Sequence, residues 1–104
     1  MAWGLAVVRG RSMQPTLWDG DRLLVRYGVS PKVGGLAVVR LSEGVVAVKR
    51  IGHRESDGWW VERDNPSEGV DSWTVGAIPD ADVVARVVGR VWPLLRRRSG
   101  GMAQ

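Results

Sequence analysis

Residues 45–51 read Val45-Val46-Ala47-Val48-Lys49-Arg50-Ile51. β-Branched residues at this density favour a strand, where their stiff side chains pack well on a pleated surface. Side chains alternate between faces with period two. One face then carries Val45, Ala47, Lys49 and Ile51, and the other Val46, Val48 and Arg50. The first half is apolar on both faces, so it is expected to be buried on both sides. Working outward, Val-rich runs recur between Gly, Pro and Asp punctuation, the pattern of an all-β chain with at most a short helical turn. The runs predict strands over residues 6–9, 22–27, 36–41, 45–54, 59–63 and 83–91. Asp19-Gly20, Ser42-Glu43-Gly44, Ser56-Asp57-Gly58 and Pro79-Asp80-Ala81-Asp82 supply the turns, because Gly accepts positive φ and Asp bonds its own backbone. A single helical turn is expected over residues 12–18, kept short by Pro15.

The chain has 104 residues, room for one domain. That domain is expected over residues 1–95, followed by a basic, disordered tail over 96–104. There is no Cys, which excludes disulfides, thiolate metal sites and a Cys nucleophile. His53 is the only histidine, so no His-rich metal cluster is available, and neither a metal nor a cofactor is called for. The net charge is +4, and Arg96, Arg97 and Arg98 supply most of it. Basicity therefore reads as a property of the tail, and no nucleic-acid partner is expected. No apolar run approaches the length that crosses a bilayer. The chain is expected to be cytoplasmic, with no membrane anchor or export signal, and with Trp3, Leu5 and Val7 packed on the domain. The six Trp are expected in the core and a cleft.

Lys49 interrupts an apolar stripe. A lysine at a strand end can snorkel to water. A desolvated lysine is different, because burial disfavours its charged form and a neutral amine serves as a general base. Ser12, in Gly10-Arg11-Ser12-Met13-Gln14-Pro15-Thr16-Leu17, follows a short strand and precedes a proline-limited turn. A serine there can cap the turn. It can also act as a nucleophile, with unpaired N–H groups of the turn facing an oxyanion. Ser and Lys together form a known alternative to the His-based triad. His53 lies four residues after Lys49, on the same face by parity, and is expected to serve at the surface or in support of the site.

These segments together resemble the three boxes of the type I signal peptidase family. Ser12-Met13-Gln14-Pro15-Thr16-Leu17 followed by Gly20-Asp21 is similar to the nucleophile box. Val48-Lys49-Arg50-Ile51-Gly52 is similar to the box that carries the general base. Asp64-Asn65-Pro66 with Asp71-Ser72 is similar to the third box, G-D-N followed by D-S-R. Gly20 to Gly28 and Gly58-Trp59-Trp60-Val61 are similar to the soluble members that mature nickel-type superoxide dismutase. The resemblance implies a β-rich catalytic core like those of signal peptidase and LexA. It implies a Ser12–Lys49 dyad that removes the N-terminal propeptide of a precursor protein, with that dismutase as the expected partner. It also implies an oxyanion donor at the Ser12 N–H, backbone assistance from Gly10, and a substrate cleft beside Arg11 and Met13. Asp64, Asn65, Asp71 and Ser72 are implied to hold the third box against the lysine strand.

Three positions depart from the boxes. Arg63 stands where G-D-N has Gly, Trp73 where D-S-R has Arg, and Gly69 where relatives often carry a serine near the lysine. Ser67 or Ser72 is the candidate to replace that hydroxyl. The alternatives to propeptide removal are a signal peptidase-like or LexA-like peptidase with another protein substrate, and an inactive peptide-binding β domain.

Overall fold

The computed structural model describes residues 2–70 and 72–94. The expected tail over 96–104 and the third-box Asp71 lie outside the described residues.

Six strands form one antiparallel sheet. They are β1 (Trp3–Val7), β2 (Arg22–Tyr27), β3 (Leu36–Arg40), β4 (Val46–Glu55), β5 (Gly58–Glu62) and β6 (Val83–Trp92). Their order across the sheet is β1-β2-β6-β3-β4-β5. The long β6 therefore inserts between β2 and β3, which joins an N-terminal hairpin to the β3-β4-β5 meander. One four-residue helix, α1 (Ser72–Val75), and two short 3₁₀ turns, over Ser42–Gly44 and Asp80–Asp82, complete the elements. The turn expected over 12–18 is a run of non-helical turns, and the short helix falls instead in the third-box segment. The first strand lies earlier than its apolar run suggests. Val8 leaves the ladder, and its N–H donates to the Asp21 carbonyl at 2.8 Å to close the loop that follows.

Apolar burial falls on both faces of the sheet, in different halves. Leu23, Val25, Val38 and Ala85 form one core, which Val8, Met13 and Leu17 cover from the 8–21 loop. Ala37, Val39, Ile51 and Val61 form the second, covered by Ile78 and Val75. Neighbours on β3 alternate between the two, as strand geometry requires. This division corrects the reading of β4. Val45 and Val46 are 56% and 55% exposed, while Lys49 and Ile51 are buried at 2% and 0%. β-Branched density shows that a strand forms but not which half of it is covered.

The other face of β1, β2 and β6 has no covering layer among the described residues. Trp3, Leu5 and Val7 are exposed rather than packed, at 53%, 66% and 41%. Trp73 and Trp92 are exposed too, and no Trp is fully buried; Trp18, Trp59 and Trp60 are half-buried, and Trp59 packs against the second core.

Candidate active site

The 8–21 loop is fixed at several points. Met13 and Leu17 drop into the first core, and the Leu17 N–H donates to the Met13 carbonyl at 2.9 Å. The buried Asp21 carboxylate accepts the Trp18 N–H at 2.9 Å. Anchored apolar residues on both sides leave Ser12 half-buried at the rim of a cleft. That cleft is lined by Ala6, Val8, Met13, Val38, Val46 and Val48, so it is chiefly apolar. A second, polar cleft meets Ser12 from the side of Arg9, Arg11 and Glu68.

Lys49 approaches Ser12 from β4. Its cross-strand partner is Ala37 and it stands two residues from Ile51, both in the second core. It is the largest of the fully buried side chains. Its Nζ lies 3.5 Å from Ser12 Oγ, at the long limit of a hydrogen bond. Catalytic contacts are often long without substrate and tighten in the complex.

The third-box segment clamps this pair. The Asn65 N–H donates to the Ser12 carbonyl at 2.8 Å, and Asn65 Nδ2 donates to the Arg11 carbonyl at 2.8 Å. Asp64 accepts from Arg50 Nη2 at 2.6 Å and from the Thr16 hydroxyl. Arg50 Nη1 continues to the Gly34 carbonyl at 2.9 Å. One carboxylate therefore ties the loop that carries Ser12 to the lysine strand. Burial opposes ionisation of Asp64, but the hydrogen bonds from Arg50 and Thr16 outweigh it and hold the carboxyl below its ordinary range. The same bond from Asp64 raises the Arg50 guanidinium. Thr16 and Arg50 lie inside the first and second boxes, yet nothing in their spacing assigns them to a shared carboxylate.

Arg63 and Gly69 act together. Arg63 Nη1 donates to the Gly69 carbonyl at 2.7 Å and Nη2 to the Pro66 carbonyl at 3.0 Å, which holds the 66–69 turn. Gly69 adopts φ +88° and faces Ser12 so closely that a Cβ there would lie 2.4 Å from Ser12 Cβ. No side chain fits. A serine there would collide with Ser12, so glycine at this position has a steric reason. Arg11 adds an ion pair to Glu68 at 2.7 Å on the same turn.

Other expected residues sit elsewhere. The Gly10 N–H donates to Asp19 Oδ1 at 2.7 Å, which takes it away from an oxyanion role. Ser72 is buried and its Oγ accepts the Val61 N–H at 2.8 Å, joining α1 to β5. The Ser67 N–H donates to Asn65 Oδ1 at 3.0 Å. His53 follows an irregularity in the β4–β5 register and is exposed, 2.8 Å from Glu55 and stacked on Trp60. Trp73 meets Trp60 edge-on.

Residues 3–90 match the profile of the peptidase S24-like family. No curated protein matches the chain.

Proposed function

The chain belongs to the peptidase S24-like family, and we propose that within it the protein is an endopeptidase with Ser12 as nucleophile and Lys49 as general base. The family is one of serine peptidases of the signal peptidase and LexA type, so the substrate is a protein chain. The observation that carries the reading is a buried amine 3.5 Å from a serine hydroxyl at the rim of an apolar cleft. The chemistry needs that amine neutral at the start.

The steps follow from that contact. Lys49 Nζ takes the hydroxyl proton as Ser12 Oγ attacks the scissile carbonyl. The oxyanion of the tetrahedral intermediate meets the Ser12 N–H, which lies outside the strand ladders. Lys49 returns the proton to the leaving amine, and the C–N bond breaks to leave an ester on Ser12. Water then loses a proton to Lys49 and attacks the ester, which frees the acid and restores both side chains.

The substrate in this reading is a precursor with an N-terminal propeptide, that of nickel-containing superoxide dismutase. The likeness of Gly20–Gly28 and Gly58–Val61 to its maturation proteases supports this choice. So does a narrow apolar cleft, which suits an extended segment with small side chains beside the cut. The test is incubation of that precursor with wild-type, Ser12→Ala and Lys49→Ala proteins from about pH 6 to about pH 10, read by intact mass. A single N-terminal cut that requires both residues is expected, with a rate that rises as the lysine deprotonates. Cleavage that survives either substitution overturns the dyad. A dyad-dependent reaction with a serine-directed phosphonate, but no cut of this precursor, overturns the substrate alone.

A further inference from the structure

We propose that the uncovered face of β1, β2 and β6 docks the protein on an anionic lipid surface. Strand pairing places Trp3 beside Arg26, Leu5 beside Leu24 and Val7 beside Arg22, and then Arg22 beside Trp92 and Arg26 beside Arg86. These residues share one face, because directly paired positions point the same way. Val88 adds another exposed aliphatic group from β6. The result is a face on which exposed apolar side chains are interleaved with arginines, the kind of patch that marks an interaction site.

Charge selects the occupant. Arg22, Arg26 and Arg86 lie on this face, while Arg90, paired with the buried Leu23, points to the other; β1, β2 and β6 contain neither Asp nor Glu. Arg22 lies over the Trp92 ring and Arg26 over the Trp3 ring, each 5.0 Å from the centroid. Tryptophan favours the polar boundary of a bilayer, and arginine beside it meets anionic headgroups while aliphatic groups enter the acyl region. Arg96, Arg97 and Arg98 follow β6 in the sequence and add to the same charge. A second copy would bring guanidinium against guanidinium with no carboxylate between them. A nucleic acid would pair with the arginines and stack on the tryptophans, but it would leave Leu5 and Val7 nothing to bury in.

Net charge conceals this arrangement. The residues before the tail are close to neutral as a set, and arginines occur in both halves of the sheet, but the acidic strand residues, Glu55 and Glu62, lie only in β4 and β5.

The experiment is co-sedimentation of the full chain with phosphatidylcholine vesicles and with vesicles that also contain phosphatidylglycerol. Pelleting is expected only with the anionic vesicles and should fall as salt rises. Each arginine at a charged membrane surface is worth about five-fold, so Arg22→Gln/Arg26→Gln should lose about 25-fold in partition. Trp3→Ser/Leu5→Ser should lose about tenfold or more. Trp73→Ser, an exposed tryptophan at the opposite edge of the sheet, should bind as the wild type does and shows what loss of any surface ring costs. Failure to pellet, equal pelleting with neutral vesicles, or an equal loss in Trp73→Ser overturns the proposal. So does a stable dimer by sedimentation equilibrium that Trp3→Ser/Leu5→Ser dissociates, or tighter binding to a single-stranded oligonucleotide.

Discussion

Replacing Gly69 by alanine tests the packing of the site most directly. Two penalties follow from the geometry. At φ +88° a residue with a Cβ sits in the left-handed region, at a cost of roughly 1–2 kcal/mol. The new Cβ would also lie 2.4 Å from Ser12 Cβ, where carbon atoms rest at about 3.5–4.0 Å. Something must therefore yield by about 1 Å or slightly more. The 66–69 turn is held by Arg63 and the Ser12 loop by Asn65, so the movement is shared between them. A displacement of about 1 Å at a nucleophile costs on the order of 100-fold in rate. Gly69→Ala is thus expected to react about 100-fold more slowly with a serine-directed phosphonate. Its melting temperature should fall by only about 4–8 °C per kcal/mol lost, so the protein can remain folded at the assay temperature. Gly69→Ser, which installs a hydroxyl beside Lys49, should be no better. A Gly69→Ala protein that reacts at the wild-type rate would refute the close approach, and a faster Gly69→Ser protein would refute the steric reason for glycine.

Two further substitutions bear on the support beneath the site. Asp64→Asn removes the charge that holds Arg50 and should cost about 1–3 kcal/mol by urea unfolding near neutral pH. Because the folded-state pKa of Asp64 is depressed, its stabilisation is complete above the ordinary carboxylate range and is lost as pH falls through the folded value. The difference between wild type and Asp64→Asn should therefore shrink on acidification, and a difference that stays constant with pH would contradict the ion pair. Ser72→Ala strands the buried Val61 N–H and should also cost about 1–3 kcal/mol. A melting temperature within error of the wild type would show that the hydroxyl is not the partner of that amide.

The sequence was legible where local chemistry decides. Strands β2 and β3 fall within one residue of the expected ranges, since apolar runs bounded by Gly and Asp punctuation act over a few residues. Lys49 stood out because a lone cation in an apolar stripe needs either water or a partner, and its burial shows that it lacks the first. Depth was not legible for Val45, Val46 or the tryptophans, because burial depends on which half of the sheet a loop covers. α1 escaped notice because four residues carry no helical period. His53 is at the surface as expected, although the irregularity after Ile51 breaks the alternation and takes it off the face of Lys49. The roles of Thr16, Arg50 and Arg63 arise from chain segments brought together only in the folded state.

Arg63 and Gly69 are departures from the third box, yet together they act as one device. Gly69 gives up a side chain, which permits the backbone to press against Ser12. A glycine at positive φ is also the position that loses most conformational freedom on ordering. Arg63 offsets that looseness by donating to the carbonyls at both ends of the turn. If the two form a unit, their substitutions cannot act independently. Arg63→Ala frees the turn to swing away, so a Cβ at residue 69 no longer forces Ser12 aside. The rate losses of Arg63→Ala and Gly69→Ala should then fall short of additivity in the double variant, with a coupling of about 0.5–3 kcal/mol. Purely additive losses in phosphonate labelling would mean that the guanidinium steadies the turn without setting its distance from the nucleophile.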